Sequence, residues 1–160
     1  MSSSSSETAS DRFFGGLAYL LPIVDVFSFG IFVFQQFPIV RQLYQLLEPL
    51  MFIYRIPFGS FILFLGLYLG VVSNPRISRF IRFNVLQSIL IGILLSLCGL
   101  LLQYLLLPLF RDRVATQLLM NVIFLGTIAL SFYGIAMSAL GKYTEFGQLS
   151  ETAHLHVGRH

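Results

Sequence analysis

Three stretches of this chain run without a charged side chain for long enough to cross a lipid bilayer. They are Ile56–Pro75, Phe83–Phe110 and Val114–Gly141, each bounded on both sides by Arg or Lys. At 1.5 Å of rise per residue, about 20 helical residues reach across a hydrocarbon core roughly 30 Å thick. Lipid offers no partner to a backbone amide, so a single segment crosses only as a helix. Of the 160 residues, 56% are hydrophobic and 11% charged, about half the charge of an average soluble domain. The charges cluster between the tracts, which leaves no room for a separate soluble domain. The pattern predicts an all-α integral membrane protein: a bundle of four transmembrane helices plus one interfacial amphipathic helix.

The fourth crossing comes earliest in the chain. Phe13–Phe34 is apolar but carries Pro22 and Asp25, and a carboxylate at mid-bilayer costs about 3 kcal/mol on insertion scales. A helix starting near Asp11 moves Asp25 toward the far interface, within reach of Arg55, and Phe29–Gly30 then turns the chain. Spans are therefore expected at about 12–29, 56–74, 84–108 and 117–140. Between the first two, residues at about 38–48 set Val40, Leu43, Leu47 and Leu50 on one helical face and Arg41, Gln42, Gln45 and Glu48 on the other. Pro38 suits a first turn and Pro49 is expected to stop this helix, which lies in the interface plane. Residues 1–10 are expected to form a disordered Ser-rich tail, 11–141 a single membrane domain and 142–160 a polar tail.

Four crossings put both termini on the side of the loop after the second span. That side holds Arg12, Arg76, Arg79, Arg82, Lys142 and Arg159, against Arg41, Arg55, Arg111 and Arg113 on the other. Arg76, Arg79 and Arg82 crowd one short loop, where cations set topology and meet lipid headgroups, so both termini are expected to face the cytosol or its organellar equivalent.

Within the spans, small residues recur every fourth position: Gly66 and Gly70, then Ser88, Gly92 and Ser96, then Gly134 and Ser138. Such positions let helix backbones approach and are expected to pack against one another. Asp25, Asn84, Gln87, Gln103 and Asn121 stand out among the polar side chains in the apolar tracts. They read either as interhelical hydrogen-bonding groups or as the lining of a polar path. No nucleophile elbow, zinc-protease motif or phosphate loop is present. Cys98 is the single cysteine, and His154, His156 and His160 fall in the tail without a shared helical face. No catalytic, metal or cofactor site is predicted. The net charge of +3 comes with no basic stripe, so no nucleic-acid partner is expected.

Two stretches carry a family resemblance. One is Leu17-Ala18-Tyr19-Leu20-Leu21-Pro22-Ile23-Val24-Asp25, continuing through Phe29-Gly30 to Gln35-Gln36-Phe37-Pro38. The other runs from Tyr54-Arg55-Ile56-Pro57-Phe58-Gly59-Ser60, through Val71-Val72-Ser73-Asn74-Pro75, to Arg79-Phe80-Ile81-Arg82-Phe83-Asn84-Val85-Leu86-Gln87. In this order and spacing the chain resembles the Tic-twenty family, the twenty-kilodalton subunit of the translocon at the inner envelope membrane of chloroplasts. The resemblance implies four membrane helices, stromal termini and a part in passing precursor proteins across the membrane, including a share in a protein-conducting path. Its implied partners are other translocon subunits or copies of itself, with membrane lipids around them. A start without an Arg-rich transit peptide is expected of a cyanobacterial or plastid-encoded member, in the cyanobacterial cell membrane or the chloroplast inner envelope. Two other functions stay open: a small-solute or ion channel subunit lined near Asn84 and Gln87, and a non-conducting membrane scaffold or assembly factor. Four close-packed helices fill their own centre, so a polypeptide path needs more than one subunit. An apolar interior favours the scaffold, and a polar funnel open to one side favours the conductors.

Overall fold

The computed structural model describes residues 8–109 and 111–143. Most of the expected tails, including Arg159 and the three histidines, lies outside the described residues. The first helix starts earlier than expected. Thr8 accepts from the Asp11 amide at 3.1 Å while the Asp11 carboxylate accepts from the Thr8 amide at 3.2 Å. This reciprocal cap satisfies two helix-end donors and launches α1 (Ala9–Leu17).

The chain then continues as α2 (Leu20–Asp25), a 3-10 turn (Val26–Gly30) and α3 (Ile31–Gln36). Together they make one apolar helical stretch, Ala9–Gln36, so the turn expected at Phe29–Gly30 is not made. Gly30 serves another purpose. A Cβ there would sit 2.7 Å from the rings of Phe124 and Phe34, so its missing side chain lets those rings close on the helix. Two further stretches are long and apolar enough to cross a bilayer: Arg79–Leu109 and Arg113–Ala139. The first comprises α7 (Arg79–Leu101), a π-helical turn (Leu102–Leu106) and α8 (Leu107–Leu109). The second is α9 (Arg113–Ala139). Ser78 caps α7 by accepting from the Ile81 amide, and Asp112 caps α9 by accepting from the Val114 amide.

Residues 38–72 depart from expectation most. α4 (Pro38–Leu43), a 3-10 turn (Tyr44–Leu47) and α5 (Glu48–Arg55) form one helical arm. Pro49 does not end it, because it falls in the first turn of α5, where its missing amide is no loss. The arm then bends by 97° into α6 (Gly59–Leu67) and a π-helical turn (Tyr68–Val72). Those 14 residues rise only about 21 Å, short of the hydrocarbon core, so the expected span at 56–74 is the short limb of a bent pair. The bend has a local cause. Pro57 lacks an amide donor, Phe58 takes a left-handed backbone at φ 60°, and a Cβ on Gly59 would run into the Ile53 carbonyl oxygen.

α1 and α2 lie between α7 and α9, the 3-10 turn at 26–30 packs on α9, and the turn at 68–72 packs on α7. The N-terminal end of α1, the N-terminal end of α7 and the C-terminal end of α9 share one end of the bundle. The Arg12 guanidinium abuts Gly141, Gly15 abuts Asn84 and Phe80, and the Tyr143 ring stands edge-on to Phe80 and Phe83 at 5.3 and 5.0 Å. α9 offers the bundle a narrow stripe of Phe124, Thr127, Ser131, Gly134 and Ser138. Its other faces leave Leu118, Val122, Leu125 and Phe132 exposed.

Gly59→Ala should lower stability by about 1–3 kcal/mol, the usual cost of forcing atoms into a filled space. Phe58→Gly should be neutral or stabilising, because a left-handed conformation costs a non-glycine residue about 1–2 kcal/mol. Thermal unfolding of the purified variants in detergent tests both. A silent Gly59→Ala would mean that the bend is made elsewhere.

Candidate functional site

The polar side chains expected inside the spans separate into three groups once folded. The first is a closed network at the heart of the bundle. Asn84, on the first turns of α7, faces Tyr19 at the start of α2 and Ser138 near the end of α9. Tyr19 donates to Asn84 Oδ1 at 2.7 Å and Ser138 donates to the same oxygen at 3.3 Å. Gln87 Nε2 donates to the Tyr19 hydroxyl at 3.1 Å, and Asn84 Nδ2 donates to the Phe80 carbonyl at 2.8 Å. Tyr19, Asn84, Gln87, Ser88 and Ser138 are each 0% exposed. One tyrosine thereby joins α7 and α9 through side chains alone, where no water competes for the bonds. Gly134 makes the approach possible: a Cβ there would come within 2.5 Å of the Tyr19 ring.

The second group is Asp25 and its surroundings. The carboxylate lies between helices, with its Oδ2 pressed to Gly92 of α7 alongside the Phe64 ring of α6. It does not pair with Arg55. That guanidinium instead meets Glu48 at 2.6 Å, both side chains at least half exposed. The Tyr54 hydroxyl interacts with Asp25, yet neither Asp25 Oδ2 nor Tyr54 Oη forms a complete hydrogen bond. The expected interface position of Asp25 rested on a turn at Gly30. Because the helix runs on to Gln36, the carboxylate is carried into the bundle. Tyr44 donates to the Ile23 carbonyl at 2.7 Å and stacks among Phe27, Phe34 and Phe124. That seals one face of the 38–55 arm to the protein. Val40 and Leu47 follow Tyr44 inward, while Leu43, assigned to the same face, stays exposed.

The third group makes no hydrogen bond to another helix among the described residues. Gln103 is exposed, and Asn121 is half-buried with its Oδ1 unbonded. Gly66 and Gly70 face open space, and Ser96 is exposed with its hydroxyl turned back to the Gly92 carbonyl at 3.0 Å. Of the expected packing positions, Ser88, Gly92, Gly134 and Ser138 are buried contacts. The three arginines of the loop divide as well. Arg76 is exposed and Arg79 half-buried, but Arg82 is 4% exposed and donates from Nε to the Val72 carbonyl at 2.9 Å. It caps the end of the 68–72 turn, where a helix terminus favours a cation. Sequence reading also passed over Tyr19 and Tyr54, whose hydroxyls need partners in a dry interior.

A family model described as "Chloroplast import apparatus Tic20-like" matches residues 10–153. The chain belongs to the Tic20-like family. It is 47% identical to a Tic20 family protein of Synechocystis over 158 residues, covering 98% of this chain and 99% of the relative. It is 33% identical to Protein TIC 20-II, chloroplastic, of Arabidopsis thaliana over 138 residues, 84% of this chain and 66% of that one. The Tic20 family protein Ycf60 of Gracilaria tenuistipitata var. liui is 34% identical over 158 residues, 94% and 76%. The Tic20-like family spans chloroplastic and cyanobacterial proteins, and the resemblance carried by residues 17–38 and 54–87 is borne out. The match takes in the whole Tyr19–Asn84–Ser138 network.

Tyr19→Phe should cost about 1–2 kcal/mol, since it strips both Asn84 and Gln87 of a buried partner. Ser138→Ala should cost less than about 1 kcal/mol, because Asn84 Oδ1 keeps its shorter bond to Tyr19. Equal losses in a chemical unfolding titration would contradict that ranking. Gly134→Leu should destabilise the purified subunit strongly, whereas Gly66→Leu should leave its melting temperature unchanged. A large loss from Gly66→Leu in the isolated subunit would mean that α6 packs on its other face.

Proposed function

We propose that this chain is a membrane subunit of a protein translocation machinery and that it contributes to a protein-conducting path only in assembly with other subunits or copies of itself. The observation that carries this reading is the family match over residues 10–153, to a family described as an import apparatus. The interior supports the second half of the statement. Asn84 and Gln87, expected at the lining of any path through the subunit, are fully buried and bonded to Tyr19. No polar funnel opens beside them among the described residues. A path wide enough for a polypeptide therefore runs between subunits. The exposed apolar faces of α6 and α9 are among the surfaces available for lipid or for such neighbours.

The bent pair 38–72 acts in this reading as one broken crossing, giving four crossings of a single membrane domain. Support comes from the shared end of α1, α7 and α9, which requires the chain to return before α7 begins. The arginines around Arg76 support an orientation with both termini on the cytosolic or stromal side, in a cyanobacterial cell membrane or a chloroplast inner envelope. The same closed interior favours one further reading, a non-conducting scaffold that holds translocon subunits together.

A photoreactive residue at Leu125 or Phe132, on the outward face of α9, separates these readings in native membranes carrying a precursor arrested in transit. The conducting-assembly reading expects adducts both with a membrane subunit, or a second copy, and with the precursor. Adducts with membrane subunits alone identify a scaffold. A face that yields lipid adducts and nothing else overturns both.

A further inference from the structure

On the outer side of the network, α1 and α9 diverge to leave an open groove of about 510 Å³. Its walls are Gly16 and Leu17 on α1, Leu20 at the start of α2, and Ile135 and Ala139 on α9, and Arg12 stands at its mouth. The floor is shallow because the residues there are small: a Cβ on Gly16 would reach Ser138 at 3.8 Å. From Ala9 to Leu20 the groove runs roughly 16 Å along the helices at 1.5 Å per residue. That is about half of a 30 Å hydrocarbon core, the depth of one leaflet.

The mouth is charged, and among the described residues that charge is unmatched. Arg12 Nε is buried without a hydrogen-bond partner, and no acidic side chain pairs with Arg12 among the described residues. The neighbouring Asp11 carboxylate is spent on the Thr8 amide. Lys142 adds a second cation, one residue beyond the Gly141 position against which the Arg12 guanidinium lies. A guanidinium donor removed from water and left without an acceptor is costly. Its planar fork matches the oxygens of a phosphate.

We propose that this groove binds one anionic phospholipid from the leaflet on the side of the termini, with its phosphate on Arg12 and Lys142 and one acyl chain laid along Gly16, Leu20, Ile135 and Ala139. A zwitterionic lipid offers Arg12 the same phosphate but brings a quaternary ammonium beside Arg12 and Lys142, and that like-charge repulsion makes the site discriminate by net headgroup charge. The bound chain covers the seam between α1 and α9 next to the Tyr19–Asn84–Ser138 network and braces it from outside.

Native mass spectrometry of the full chain in neutral detergent, titrated separately with phosphatidylglycerol and phosphatidylcholine, tests the site. The expected result is one phosphatidylglycerol adduct held about ten-fold more tightly than the phosphatidylcholine adduct, the order of effect that one or two basic residues produce at a membrane surface. Arg12→Gln should reduce that preference to near parity, and Arg12→Lys should keep part of it. Ala139→Phe, which fills the groove while keeping both cations, should weaken both adducts. Circular dichroism melts identify any variant that fails to fold, and the Arg12→Gln and Arg12→Lys pair then decides. Arg111→Gln, at the opposite end of the bundle, should change nothing. Equal affinity for the two lipids, or equal loss from Arg111→Gln and Arg12→Gln, would overturn the proposal. So would a second copy of the chain occupying the groove in place of lipid.

Discussion

Water is the universal hydrogen-bond partner of soluble proteins, and a helix bundle in hydrocarbon must do without it. Each polar side chain that enters the bilayer has to find its partner on another helix. Here that requirement converges on Tyr19. Its ring lies on Gly134 of α9, its hydroxyl donates to Asn84 of α7 and accepts from Gln87, and Asn84 accepts in turn from Ser138 of α9. Interhelical bonds of this kind contribute about 0.6 kcal/mol each on average, so none of them holds the bundle alone. Their effect is on register. Close helix contact at Gly134 and Gly15 brings the polar groups within reach, and the polar groups reward only the arrangement in which those glycines face their partners.

The bend at residues 55–59 follows from the same constraint applied to the backbone. A helix that breaks in lipid exposes amides and carbonyls, so breaks are tolerated where the chain is buried or at the surface of the membrane. Between α5 and α6 the break is set by Pro57, the left-handed Phe58 and the unoccupied Cβ position of Gly59. The limb that follows is too short to cross by itself, and its last turn is closed by the Arg82 guanidinium. A subunit with one short limb and a bare small-residue face at Gly66 and Gly70 is asymmetric around its circumference. That asymmetry suits a protein whose work is done beside neighbours.

Composition made the membrane setting legible, because long uncharged tracts leave few alternatives. The stretches expected as third and fourth spans fall on helices Arg79–Leu109 and Arg113–Ala139, whose ends lie within about five residues of the expected bounds. The first span ran longer than expected. A 3-10 turn absorbed Phe29–Gly30, a signal that reads as a chain reversal when the Phe124 ring packed against it is out of view. Asp25 moved inward with it. Small-residue spacing located the true contacts on α7 and α9 but equally marked Gly66 and Gly70, which face open space, because the pattern says that a close approach is possible and not that a helix is there. The amides at Asn84 and Gln87 were visible as polar groups in apolar tracts. Their partner was not, because a tyrosine in an apolar run carries no mark that its hydroxyl is buried 65 residues away from its acceptor.

The polar heart of this subunit is a dry clasp: Tyr19, Asn84, Gln87 and Ser138 are fully buried and bonded to one another. Ser88 and Ser131 are both 0% exposed, on α7 and α9, and each can be replaced by cysteine with little change in volume. In a Cys98→Ala background in native membranes, Ser88→Cys and Ser131→Cys should resist a water-soluble, membrane-impermeant thiol reagent applied from either side, while a cysteine at exposed Arg76 reacts from one side. Rapid modification of Ser88→Cys or Ser131→Cys in the folded protein would place water in the interior and contradict a dry clasp.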